Sequence, residues 1–167
     1  MMKRVFLVLA AALLFVAGCA STGATSESWL NKSLDDVNGE TFELGSLKGK
    51  PTVIKVWSSW CSICLSGLKD YNELSALGLD VNVISMVEPG RGAEMDKDEF
   101  VEWFKSLDDY KDMTVLLDTE QIAQNTFFVR AYPTFVYLDE NGEVAATRPG
   151  HQTNVQILET LSSIEKE

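Results

Sequence analysis

The sequence predicts an α/β domain with a mixed central sheet flanked by helices, an N-terminal β-hairpin extension and a central insertion. Three observations carry that expectation. An apolar strand over residues 52–57 leads into a helical stretch over 62–77 and then into a second apolar strand over 81–87. This βαβ order places two strands side by side and parallel. Near the C-terminus, strands over 135–138 and 144–147 are separated by Asp139-Glu140-Asn141-Gly142, the signature of an antiparallel hairpin. Finally, 46% of the 167 residues are hydrophobic, enough for a real core and too many for a disordered chain.

Taken in order, residues 1–18 read as a targeting segment. Lys3-Arg4 precedes an unbroken apolar run over 5–17, shorter than the roughly 18–20 residues of a spanning helix, so a signal peptide is expected. Residues 19–28 are small, polar and aperiodic after Cys19, as in a flexible tether. The folded domain is expected over 29–167. Asn38-Gly39 between apolar positions marks a hairpin over 34–44, and 47–51 a turn. The strand over 52–57 is mostly apolar and β-branched, as in a strand buried on both faces. Leu65, Leu68, Tyr71 and Leu74 recur at helical spacing, with Gly78 as a stop. Residues 88–92 break the chain. Phe100, Phe104 and Leu107 share one face of a helix over 98–107, followed by a strand over 114–117 and a short helix over 120–127. Pro133 cannot donate to a central ladder, so it leads into the next strand. Ile157, Leu161 and Ile164 line one face of a last helix over 154–164. There is no internal repeat.

The chemistry concentrates in Trp60-Cys61-Ser62-Ile63-Cys64, at the junction of strand and helix. Two thiols across the first turn of a helix lie close enough for a short disulfide. Unpaired N–H groups at a helix N-terminus favour thiolate, so Cys61 is the natural attacking thiol and Cys64 the resolving one. A structural disulfide usually closes a long loop, whereas a two-residue loop constrains almost nothing; the pair therefore points to redox work. One histidine, His151, and no second cysteine pair leave too few ligands for zinc, and no metal or cofactor is expected. A formal net charge of −11 without a basic cluster argues against nucleic acid.

The run from Val53 to Cys64 resembles the active-site strand and helix of thioredoxin-like proteins. Tyr132-Pro133-Thr134 sits where that family has its cis-proline loop, and Gly150 matches a glycine near the end of its last strand. Val16-Ala17-Gly18-Cys19 resembles the lipobox of bacterial lipoproteins, in which the cysteine becomes lipid-linked. With the hairpin and the insertion, these features resemble the extracytoplasmic TlpA/ResA branch. The resemblance implies a thioredoxin-like fold, with Pro133 cis and facing the cysteines. It also implies a substrate groove lined by Trp60, Ser62, Ile63 and Tyr132, although Tyr132 could equally be a half-buried aromatic. Trp57 reads as packing. Trp103, Phe127 and Phe128 read as core or half-buried surface.

Two departures stand out. Cytoplasmic thioredoxins carry an acid six positions before the first cysteine, where this chain has Lys55. That lysine either snorkels to an exposed edge or places a charge that favours the thiolates. Some ResA-like proteins carry a glutamate three residues after the second cysteine, where this chain has Gly67; Glu88 could substitute, or be an ordinary loop carboxylate. His151 reads as a post-strand residue.

The resemblance thus implies a lipid-anchored, monomeric thiol–disulfide oxidoreductase facing out of the cytoplasm and working as a reductase. Electrons would come from a membrane-embedded thiol donor. They would pass to client proteins with disulfide, sulfenic or sulfoxide chemistry, of the apocytochrome c or methionine sulfoxide reductase type. The alternatives are an oxidase that donates disulfides to secreted proteins, and a non-catalytic surface-binding lipoprotein.

Overall fold

The computed structural model describes residues 29–164. The expected signal peptide, Cys19 and the tether lie outside them. The elements are β1 (Ser33–Asp35), β2 (Thr41–Glu43), a 3-10 turn (Leu44–Leu47), β3 (Thr52–Val56), α1 (Ser62–Ser66), α2 (Leu68–Ser75), β4 (Asn82–Val87), α3 (Lys97–Lys105), β5 (Thr114–Leu117), α4 (Ile122–Asn125), β6 (Thr134–Leu138), β7 (Val144–Pro149) and α5 (Asn154–Ile164).

Five strands form one sheet in the order β5-β4-β3-β6-β7. β3 is central, parallel to β4 and antiparallel to β6; β4 and β5 are parallel, and β6 and β7 antiparallel. Side chains alternate across a strand, so the sheet builds two cores. On one face Val53, Val87, Val115, Leu117, Phe135 and Tyr137 meet Leu68, Tyr71 and Leu74 of α2, Phe100 and Phe104 of α3, and Ile157 and Leu161 of α5. On the other, Ile54, Val56, Ile84, Met86, Val136 and Leu138 meet Trp29, Leu30, Leu34, Leu44 and Leu47 of the N-terminal segment and Ile122 and Ala123 of α4. The second face is therefore covered mainly by the N-terminal segment, within which the Val37 N–H of the β1–β2 hairpin donates to Val115 O at 3.0 Å and guards the β5 edge.

Two expectations change. The single helix over 62–77 is two helices, α1 and α2, interrupted at Gly67 (φ −102°, ψ 11°). Phe127 is buried as expected, but Phe128 is 70% exposed, because its backbone turns into the left-handed region (φ 54°) and swings its ring away from the core. Trp57 is core: it is 1% exposed and meets Phe100 edge-on at 5.8 Å. Its indole N–H donates to Ser85 Oγ at 3.2 Å, so the buried polar atom is satisfied.

Candidate active site

β3 delivers the cysteines. Hydrogen bonding carries on past its last residue, Trp57 N–H donating to Met86 O at 3.1 Å, and Ser58–Trp60 then turn the chain into α1. Cys61 is the N-cap of α1: its extended backbone (φ −88°, ψ 99°) starts the helix, and its sulfur accepts from Cys64 N–H at 3.3 Å. The two sulfurs are joined at 2.16 Å, with Cα atoms 5.2 Å apart. The pair is asymmetric in depth, Cys61 being 6% exposed and Cys64 fully buried. Around it Trp60 and Ile63 stand out in solvent, 54% and 50% exposed, and Ser62 is exposed too.

The Tyr132–Pro133 bond is cis. Val56 pairs with Thr134, so Pro133 lies at the same end of the sheet as the turn into Cys61. Gly150 N–H donates to Pro133 O at 2.8 Å, and Gly150 takes φ 92°, which a glycine adopts without strain. The Tyr132 ring is half-buried, meets Trp60 edge-on at 5.9 Å and packs on both cores. Burial raises its hydroxyl pKa, with Arg91 opposing and Glu88, Glu94 and Asp118 adding to the rise. Those four charges therefore gather on its side of the site.

Lys55 does not snorkel to an edge. It lies in the central strand, 1% exposed, because its side chain points into the helical face beside Val53. There its ammonium fills the break in the helix, donating to Cys64 O at 3.2 Å and Gly67 O at 3.1 Å and sitting 5.4 Å above the Tyr71 ring. Burial lowers its pKa to about 8, with Asp70 pulling weakly the other way. Gly67 is needed for this packing: a Cβ there would come within 2.8 Å of His151 Cε1 and 2.9 Å of Nδ1, with Lys55 Nζ at 3.6 Å. Where related proteins carry an acid, this chain gathers an amine and an imidazole.

Glu88 follows the last residue of β4 and is buried. It accepts from Gln124 Nε2 at 2.6 Å and pairs with Arg91 at 3.4 Å; neither oxygen bonds to the 60–64 stretch among the described residues. Burial raises its pKa, and Arg91 opposes. Sequence reasoning missed two carboxylates. Asp118, fully buried, accepts from Ile122 and Ala123 N–H at 2.9 and 2.8 Å and so starts α4. Glu94, 8% exposed, receives Ser58 Oγ–H and Ser59 N–H from the turn before Cys61. Asp118 lies just four and five residues before the N–H groups it holds, whereas Glu94 is a lone acid 36 and 35 residues from its partners, which leaves no spacing to read.

The arrangement can take up and give back two electrons at one short disulfide, with one sulfur near the surface and the other beneath it. Comparison with known proteins agrees. The sequence model of the Redoxin family matches residues 21–164. An uncharacterized protein of Haemophilus influenzae is 41% identical over 125 residues, covering 74% of this chain and 80% of that one. The thiol–disulfide oxidoreductase ResA of Halalkalibacterium halodurans is 24% identical over 151 residues, covering 88% and 81%. The crystal structure of the exposed lipoprotein thioredoxin Etrx1 of Streptococcus pneumoniae superposes with a TM-score of 0.75 at 38% identity, covering 79% of this chain and 98% of that one. A disulfide at the turn from central strand to helix, a cis-proline strand beside it and these relatives lead to one assignment: the chain belongs to the Redoxin family, as a thioredoxin-fold thiol–disulfide oxidoreductase of the TlpA/ResA type.

Proposed function

We propose that this protein is a lipid-anchored, extracytoplasmic reductase of client disulfides, working through Cys61 and Cys64. The observation that carries the reading is the difference in depth within the pair: only Cys61 reaches the surface, among the exposed Trp60, Ser62 and Ile63. In the reduced protein the Cys61 thiolate attacks a client disulfide, forming a Cys61–client bond and releasing one client thiolate, which takes up a proton. Cys64, deprotonated, then attacks the Cys61 sulfur; the Cys61–Cys64 disulfide forms and the second client thiol leaves. Two electrons pass to the client, and a thiol donor restores the dithiol. Trp60, Ile63 and Tyr132 give an extended client segment an apolar wall, and Pro133 lies beside it. The lipoprotein relative from Streptococcus pneumoniae and the Val16–Cys19 run support an anchor on Cys19. A client whose disulfide forms during sulfoxide reduction, or an apocytochrome c cysteine pair oxidised to a disulfide, fits this chemistry.

The reduction potential tests the direction. Equilibration of the Cys61–Cys64 couple with a dithiothreitol buffer is expected to give a value near or below about −250 mV, among reductants of this fold. A value near about −150 mV would make the protein a disulfide donor. The Cys64→Ala variant is expected to accumulate Cys61-linked mixed disulfides in cells; an empty trap overturns the client-reducing reading.

A further inference from the structure

We infer that Glu94, in the segment between β4 and α3, is a positioning residue for the redox couple, clamping the turn before Cys61 and disfavouring negative charge on the Cys61 sulfur. The inference rests on the reductant reading above and adds to it a residue that sets the couple's direction.

The clamp is specific. Glu94 Oε2 accepts from Ser58 Oγ at 2.5 Å and from Ser59 N–H at 2.6 Å; Oε1 accepts from the Ser59 hydroxyl and from Met95 N–H at 3.0 Å. Two of the four partners are backbone N–H groups, which only donate, and an ionised carboxylate only accepts, so the donor set matches the anion. Such charge-assisted bonds are about twice as strong as neutral ones. One further hydrogen bond reaches the active site, Cys61 N–H to Ser58 O at 3.2 Å. The segment itself is folded to present the acid: Gly90 N–H donates to Met95 O at 2.7 Å and Glu94 N–H to Arg91 O at 2.9 Å. Nothing in the exchange chemistry otherwise requires this insertion.

A fixed anion held by Ser59, two residues before Cys61, opposes the helix N-terminus, which favours thiolate there. A reduced form stabilised as thiolate makes an oxidant of this fold; removing that stabilisation makes a reductant. Glu94 therefore pushes the couple towards reduction of clients. The other ionisable side chains around the site, among the described residues, are Lys55 against the Cys64 carbonyl, His151 over Gly67, and Glu88, Arg91 and Asp118 around Tyr132.

The test compares Glu94→Gln, Glu94→Asp and Ser59→Ala in the full chain. The readouts are the pH profile of Cys61 alkylation after mild reduction and the equilibrium with glutathione. Glu94→Gln removes the charge, so the alkylation midpoint is expected to fall by about one pH unit. Reduction by glutathione should become about tenfold more favourable, equivalent to about 30 mV. Ser59→Ala keeps the charge but removes a donor that neutralises it, so both readouts should move the opposite way. Glu94→Asp should restore the wild-type midpoint. Shifts of the same sign in Glu94→Gln and Ser59→Ala would mean simple loosening of the turn and overturn the inference, as would an unchanged midpoint in Glu94→Gln. If Glu94→Gln does not fold, Ser59→Ala decides: a raised midpoint supports the clamp, an unchanged or lowered one overturns it. An oxidising wild-type potential would instead defeat the reductant reading and leave these differences between variants intact.

Discussion

Lys55 is where one side chain most affects both stability and chemistry. Burial lowers its pKa from the ordinary 10.5 to about 8. Between those values the unfolded chain binds a proton that the folded chain does not, so stability rises with pH across this window. Below about pH 8 the buried charge costs roughly 3 kcal/mol relative to an amine free in water. Lys55→Met should abolish the rise, and at pH 7 the oxidised variant should be at least as stable as the wild type. The carbonyls that Lys55 leaves keep other donors, Gly67 N–H for Cys64 O and Tyr71 N–H for Gly67 O. Urea midpoints at pH 7 and pH 10 read this directly; a midpoint that still climbs in the variant rejects a buried, titrating Lys55. The same ammonium lies against the Cys64 carbonyl and favours negative charge on Cys64, so Lys55→Met should slow release of a Cys61-linked mixed disulfide at pH 7. Unchanged release would confine Lys55 to holding the helix break. At this scale the sequence was partly legible. Cys61, Cys64, Trp60 and Pro133 follow from spacing and resemblance. Burial of Lys55 does not, because a lone cation in an apolar strand is equally consistent with an edge, and only the sheet order makes β3 central.

The break between α1 and α2 shows what periodicity leaves out at the scale of an element. Leu65, Leu68, Tyr71 and Leu74 keep helical spacing across Gly67, because a tight local distortion need not shift the apolar face. What breaks the helix is tertiary: the His151 ring occupies the space of a side chain at 67, and Lys55 bonds the carbonyls on either side. Gly67 has a negative φ, so alanine meets no backbone penalty there and the clash is the whole cost. Gly67→Ala should lose about 1 kcal/mol or less, since the exposed imidazole can swing aside. In a His151→Ala background the same change should stabilise by about 0.4–1 kcal/mol through the unfolded chain. A double-mutant cycle in chemical denaturation checks this. Additive effects would mean that the ring does not rest on Gly67. The boundaries of β3, β4, β6 and α5 were legible to within a residue or two, since each has a dominant apolar pattern at its own period between turn residues.

For the whole molecule, the sheet separates two cores, with the disulfide on only one side. The far side is closed by the N-terminal segment, where Trp29 is 2% exposed and meets Phe127 edge-on at 5.0 Å. Without that cover, Ile54, Ile84, Met86 and Val136 would face water, and at about 25 cal/mol per Å² such a face is expensive to expose. Trp29→Ala should therefore cost about 3–5 kcal/mol, read as a lower denaturant midpoint with a two-state transition. Its effect on the chemistry tests how independent the two faces are. Among the described residues, the only site residue packed on both cores is Tyr132, three residues along the chain from Val129 and beside the cis proline. If β3 and its neighbours act as a rigid wall, the alkylation midpoint of Cys61 stays at its wild-type value in Trp29→Ala although stability falls. If the midpoint moves, the collapse around Phe127 reaches the site through Tyr132 and its contact with Trp60. The rigid wall is expected, because strand pairing fixes β3 on both sides through all five of its residues, whereas Tyr132 touches the far core only in part.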